Sequence, residues 1–299
     1  MSRKKVLIFG SPLDGEVAAV SQELLHRDVE PVVLQTEQLW QSWHLIISQD
    51  EVRVWTITGH VMIYMEDVAA VWTRRVDWPA SPNLEAMLWA MLRCPHFRFI
   101  NPIDGVLAHR AKPWQLYMAP SDSELKVIPS ISVTSNYRIA PRPWLKGEND
   151  ILAKPAMGGA SPVRLENPDF PSTQFDACTY QHIIKGTPER WVKIGKKWFR
   201  FIIRTEHLDY RNDPAPQITF QVPRQEFVDR LKLNELCEMN HLEFAGLDLI
   251  QDEKGDFYFI EINPSPMLTG FQSITGAPLV AELASFLCED QDDGETEQA

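Results

Sequence analysis

The chain is predicted to be an α/β protein, and three observations carry that prediction. Short apolar runs alternate with helical apolar patterns through the first third. The pattern restarts near Phe99-Ile100-Asn101-Pro102, and the C-terminal third contains two apolar runs joined by a polar turn. Alternation of this kind suits a mainly parallel sheet covered by helices in the N-terminal part.

Taken in order, Val6–Phe9 reads as a buried strand and Gly15–Arg27 as a helix with Val17, Val20, Leu24 and Leu25 on one face. Pro31–Leu34 is strand-like, followed by alternating runs at Leu45–Ile47, Val52–Ile57 and Val61–Tyr64. Val68–Thr73 is a buried-type strand and Asn83–Leu92 a helix. A helix is predicted over Asp104–Tyr117, and the Pro-, Arg- and Gly-rich stretch Tyr137–Asn149 reads as a loop or hinge. Strands follow at Ile151–Lys154, Thr179–Ile184, Arg190–Ile194 and Trp198–Arg204, the last two joined by a turn at Gly195-Lys196-Lys197. A helix over Arg224–Asn240 precedes strands Phe244–Ile250 and Phe257–Ile262, and a final helix covers Pro278–Leu287. No internal repeat is visible.

Composition narrows the class. Of 299 residues, 44% are apolar and 23% charged, as in a soluble globular protein. No window approaches the ~18 consecutive apolar residues of a membrane-spanning helix. The apolar run after Met1-Ser2-Arg3-Lys4-Lys5 ends at Gly10-Ser11-Pro12, too early for a signal sequence. Cys94, Cys178, Cys237 and Cys288 form no CxxC pair, and the eight histidines form no HxH or HxxxH cluster, so a reduced, cytoplasmic chain without zinc is expected. A net charge of -12 argues against a nucleic-acid partner. Much of the acidic excess lies in a C-terminal tail expected to be solvated and disordered.

The most informative segment is Gly246-Leu247-Asp248-Leu249-Ile250 followed by Phe259-Ile260-Glu261-Ile262-Asn263-Pro264. Singly, Asp248 and Glu261 could be ordinary residues of a half-exposed sheet. Acids inside apolar strands are costly without partners, however. Glu261 and Asn263, two apart on a strand, share a face, and antiparallel pairing can bring Asp248 to it. Two carboxylates and an amide oxygen are hard ligands suited to Mg²⁺ held together with nucleotide phosphates.

With those residues in view, the chain resembles the ATP-grasp superfamily of ligases. The GLDLI…FYFIEINPSP signature, with Asp248, Glu261 and Asn263, is similar to that family's magnesium-binding strand pair. Other segments follow in the expected order. Ala111-Lys112-Pro113-Trp114-Gln115 resembles the helix bearing the first ATP-contacting lysine, and Leu152-Ala153-Lys154-Pro155 the strand bearing the second. Gly158-Gly159 resembles the phosphate-covering loop, and Gln181-His182-Ile183-Ile184 the hinge whose backbone meets adenine. His182 stands where an acid is common, and Lys185-Gly186 where a ribose-binding acid often lies. Arg190 matches the arginine of an R-x-x-x-x-G strand pair, with Arg204, Arg211 and Asn212 in register behind it.

Within the superfamily the chain is similar to the graspetide ligases, which macrocyclise ribosomal peptides, and to ribosomal-protein glutamate ligase-like enzymes. The likeness is carried by Trp72-Thr73-Arg74-Arg75 and by Asp209-Tyr210-Arg211. The resemblance implies a fold with an N-terminal domain at 1–98, a central subdomain at 99–175 and a C-terminal subdomain with the metal site at 176–288, followed by the tail at 289–299. It implies ATP and Mg²⁺ as cofactors, catalytic Arg190 and Arg211, and Arg74, Arg75, Arg204 and Asn212 as substrate contacts. It also implies a homodimer. The expected reaction is activation of a carboxylate as an acyl phosphate and its capture by an amine or hydroxyl of a precursor peptide. Ligation of free amino acids or small acids is the alternative; a degenerate nucleotide-binding regulatory module is a third. Trp72, Trp114, Trp191 and Trp198 read as packing residues rather than substrate platforms.

Overall fold

A computed structural model describes residues 3–35, 41, 43–48, 52–56, 62–119, 124–134, 150–157, 162–165, 177–207 and 210–289. The loop expected at Tyr137–Asn149, the Gly158-Gly159 pair, Asp209 and the tail beyond Glu289 lie outside these residues. The chain divides into two units, residues 1–103 with 267–299 and residues 104–266.

The first unit opens with β1 (Lys5–Phe9), buried along its whole length, then α1 (Gly15–His26) and β2 (Glu30–Leu34). The Asp14 side chain caps α1 by accepting from Glu16 N, and Val17, Val20 and Leu24 form its buried stripe. β3 (Trp43–Ile47), β4 (Val52–Thr56) and β5 (Met62–Ile63) pair antiparallel as a separate meander. β6 (Val68–Thr73), α2 (Pro82–Leu92) and β7 (Phe99–Ile100) follow. The main sheet runs β2-β1-β6-β7 with every neighbour parallel, as the alternating pattern predicts.

In the second unit the helix expected over Asp104–Tyr117 is two, α3 (Ile103–Ala108) and α4 (Lys112–Met118). Pro113 has no N–H to offer the carbonyl four residues back, at His109, so a continuous helix cannot form there. β8 (Leu125–Val127), β9 (Ser130–Thr134), β10 (Ile151–Pro155), β11 (Val163–Arg164) and β12 (Ala177–His182) come next. Four of them form an antiparallel sheet in the order β11-β10-β12-β9. One face packs through Ile151, Ala153, Cys178 and Tyr180, while strand alternation puts Lys154, Thr179 and Gln181 on the other.

β13 (Gly186–Ile194), β14 (Lys197–Arg204), β15 (Gln217–Gln221), α5 (Gln225–Arg230), α6 (Leu233–Met239), β16 (Phe244–Asp252) and β17 (Phe257–Asn263) complete this unit. Their sheet runs β15-β14-β13-β16-β17-β8, antiparallel except for β17 with β8. Gly195 makes the β13–β14 turn with φ of 57°. The helix predicted over Arg224–Asn240 breaks at Lys232, which takes a left-handed conformation. The reason lies in phase: Val228 and Leu231 would sit on a different side of a straight helix from Leu233, Leu236 and Cys237, and the break turns both groups into one core. That core includes Trp191 and Trp198, and Trp72 is buried in the first unit; Trp114 instead is 43% exposed.

The chain returns to the first unit through α7 (Thr269–Thr275) and α8 (Leu279–Cys288). Glu16, buried at the start of α1, receives Leu268 N at 3.0 Å, Thr269 N at 3.2 Å and Thr269 Oγ1 at 2.7 Å. A carboxylate at the start of α7 also suits the helix dipole. Among the described residues no helix is long and apolar enough to cross a membrane.

Candidate active site

The C-terminal strand pair does what its acids require. Asp248 on β16 stands opposite Arg190 on β13 and opposite Glu261 on β17. The odd-numbered neighbours Ala245, Leu247 and Leu249 face the aromatic core, so Gly246 and Asp248 face the other way. On β17, Phe257 and Phe259 also enter that core, and simple alternation would send Glu261 and Asn263 after them. A bulge intervenes: Leu249 pairs with Phe259 but Asp248 with Glu261, leaving Ile260 as the extra residue. The phase inverts, Ile262 enters the core, and Glu261 and Asn263 join Asp248 on one face.

Each acid is held by a cation. Arg190 Nε lies 2.6 Å from Asp248 Oδ1, and its Nη2 donates to Oδ2 at 3.0 Å. Lys112, first residue of α4, donates to Glu261 Oε2 at 2.5 Å. Asn263 Oδ1 accepts from Ser265 N at 2.9 Å, which orients the amide. Gly246 leaves space for the guanidinium, since a Cβ there would come within 2.7 Å of Arg190 Nη1.

Lys154 lies buried on β10, and Lys112 N donates to Ala156 O at 2.9 Å, so the two lysine-bearing segments are joined by backbone. Burial pushes the Lys154 ammonium down to about 8. Glu261 and Asp248 oppose that shift, and Lys112 and Arg211 add to it, so all five groups share one electrostatic neighbourhood. Burial raises the Asp248 carboxyl above its ordinary range despite Arg190. For Glu261, burial acts upward too, but Lys112, then Lys154 and Arg190, outweigh it and hold the carboxyl low. Two carboxylates against Lys112, Lys154, Arg190 and Arg211 leave two positive charges in excess.

The remaining expected residues are placed less uniformly. Gln181 is buried on the Lys154 face, donating to Ser130 Oγ at 3.1 Å. In the hinge, His182 N donates to Pro129 O and Ile183 N to Asp150 O; Ile184 follows, half-buried. Arg211 and Asn212 are exposed in the short 3-10 turn Tyr210–Asn212. Arg204 sits at the exposed end of β14, and alternation puts it on the face of Arg200 and Trp198, opposite that of Arg190. In the first unit Arg74 Nε donates to Asp14 Oδ2 at 3.0 Å, and Arg75 donates to Asp77. Among the described residues no three His, Cys, Asp or Glu side chains converge; the oxygen donors on this face are the two carboxylates and the Asn263 amide. That set, all oxygen and on one face, fits Mg²⁺.

The fold is that of the ATP-grasp ligases. The solved structures it matches include the macrocyclase MdnC bound with precursor peptide MdnA from Microcystis aeruginosa MRC, at 19% identity and a TM-score of 0.75, covering 96% of this chain and 100% of that one. The ATP-grasp ligase PsnB complexed with a minimal precursor matches at 21% and 0.77, covering 96% and 98%. The VanG D-Ala:D-Ser ligase from Enterococcus faecalis matches at 12% and 0.61, with the same coverage. No protein-family model matches the sequence, and none of the curated proteins does.

Proposed function

We propose that the protein is an ATP-dependent ligase that activates a carboxylate of a ribosomal precursor peptide and joins it to an amine or hydroxyl of the same peptide. The observation that carries this reading is the convergence of Asp248, Glu261 and Asn263 on one face amid Lys112, Lys154, Arg190 and Arg211. Two surplus positive charges complement a magnesium-bound nucleoside triphosphate of charge about -2. PsnB, with the same fold, was solved with a minimal precursor, Mg and ADP.

In this reading Asp248, Glu261 and Asn263 hold Mg²⁺, which when bound neutralises charge on the phosphate oxygens. Lys112 and Lys154 contact the phosphates as point charges. Gln181, His182, Ile183 and Ile184 border the base, and Ile184 is the hinge residue whose backbone forms no bond with the described residues. Gly158 and Gly159 are assigned to the phosphates only by the resemblance of their segment to a phosphate-covering loop. Arg190, while orienting Asp248, and Arg211 face the γ-phosphoryl and the developing acyl phosphate. The substrate carboxylate attacks the γ-phosphorus and ADP leaves. An amine or hydroxyl then attacks the acyl carbon, loses its proton and expels phosphate, so each bond formed removes one water. Arg74 and Arg75 are proposed peptide contacts of the N-terminal domain and Asn212 of the second unit; Arg204, expected to join them, lies on the face of β14 opposite Arg190 and is set aside. The two sheets of the second unit are proposed as central and C-terminal subdomains.

A second reading is ligation of free amino acids, favoured by the likeness to a D-Ala:D-Ser ligase. The two separate by mass spectrometry. A precursor peptide encoded beside the gene, incubated with ATP and Mg²⁺, is expected to lose one water mass per bond, and hydroxylamine to trap its activated carboxylate as a hydroxamate. Amino-acid-dependent ADP release without any peptide product would establish the second reading instead.

A further inference from the structure

Beyond its bulge, β17 has no neighbouring strand on one edge among the described residues. β8 pairs with it only over Phe257–Phe259, so Ile262, which lies between Glu261 and Asn263, has no ladder partner on that side among the described residues. The side chain of Gln115 takes that place. Its Nε2 donates to Ile262 O at 3.0 Å, and its Oε1 accepts from Ile262 N at 3.0 Å. A side-chain amide thus reproduces both bonds of a strand neighbour. Its second N–H goes to His109 O at 2.7 Å, the carbonyl that Pro113 leaves without a helical donor. Gln115 is 5% exposed, and all three bonds are satisfied in one rigid orientation.

Gln115 also sits one turn from Lys112 on α4, so a single side chain joins the helix carrying Lys112 to the strand carrying Glu261 and Asn263. From this geometry we infer that Gln115 is a positioning residue for the metal-nucleotide site: it fixes the β17 backbone between two oxygen donors. The inference rests on the function proposed above. Groups that orient metal ligands typically affect metal affinity by about 10–100-fold.

The test uses the full chain and two substitutions, Gln115→Met, which keeps volume and removes the bonds, and Gln115→Asn, one methylene too short to make all three. Amide hydrogen exchange at Ile262 is expected to quicken in both, by about tenfold or more. Mn²⁺ affinity in the presence of ADP, read by electron paramagnetic resonance, is expected to fall by about 10–100-fold. Metal-free ADP affinity is expected to stay within about threefold, a split that general loss of structure does not produce. Folded variants with wild-type Mn²⁺ affinity and unchanged exchange at Ile262 overturn the inference alone. Wild-type protein that fails to bind Mn²⁺ with ADP overturns the nucleotide reading, and this inference with it.

Discussion

Arg190 and Asp248 occupy directly opposed positions on neighbouring strands, forming a two-point ion pair largely out of solvent, with Arg190 8% exposed and Asp248 half-buried. A pair of this kind contributes modestly, but breaking it on one side is costly because the survivor keeps its charge in the interior. Asp248→Ala is therefore expected to lower the unfolding free energy by about 3–5 kcal/mol. Urea denaturation at neutral pH measures this, and wild-type stability in the variant would rule the pair out as a structural element.

The contact between Lys112 and Glu261 leads to a different expectation. Glu261→Gln keeps the shape and removes the charge that both Lys112 and a divalent ion would use. A charge-assisted bond carries about 1.5–3 kcal/mol, so Mg²⁺-dependent nucleotide affinity should fall by about ten- to a hundredfold. Titration with and without Mg²⁺ separates the two contributions. Equal Mg²⁺ dependence in variant and wild type would remove Glu261 from the ligand set.

Lys154 makes the site sensitive to pH. Burial brings its folded-state pKa to about 8, below the ordinary 10.5, so between those values the unfolded chain holds more protons. Stability should rise with pH across that window, and the gain should be absent below about pH 8. Phosphates bound beside Lys154, as proposed, would pull its pKa back up, so nucleotide binding near pH 9 should take up a proton. Calorimetry in buffers of different ionisation enthalpy reads this uptake, and Lys154→Met should abolish it. Undiminished uptake in the variant would assign the proton elsewhere.

How much of this could be read from the sequence depended on how local the signal was. Asp248 and Glu261 stood out because an acid inside an apolar strand demands an explanation, and the parallel sheet followed from simple alternation. The bulge at Ile260 left no such mark. Phe257, Phe259, Glu261 and Asn263 share one parity, so the pattern alone put core aromatics and the polar pair Glu261 and Asn263 on the same face. Only the pairing to β16 resolves that conflict. Gln115 was equally silent, since a glutamine on an amphipathic helix looks like a solvent-facing residue until its distant partner Ile262 is known. The breaks at Pro113 and Lys232 were legible in principle, one from proline chemistry and one from the phase change between Leu231 and Leu233. The strand Gln217–Gln221, alternately exposed at the sheet edge between proline-rich flanks, carried too weak a pattern to stand out.

Gly246 offers a steric test of the same site. A methyl group there would meet Arg190 Nη1 and Pro266 Cβ, each at 2.7 Å, and the proline cannot swing aside as a flexible chain would. Gly246→Ala should cost about 1–3 kcal/mol of stability and displace the Arg190–Asp248 pair. Thermal unfolding with nucleotide titration checks both, and a variant unchanged in each would mean that the strands separate easily at this point.

The most direct measurement of the site is Mg²⁺-dependent conversion of ATP to ADP in the presence of a precursor peptide, for wild type and for Glu261→Ala. The predicted result is peptide-stimulated ADP release in the wild type, matched by loss of water from the peptide, and its disappearance in the variant. Absence of nucleotide binding in the wild type, or turnover that Glu261→Ala leaves intact, would contradict the assignment of Asp248, Glu261 and Asn263 as the centre of the site.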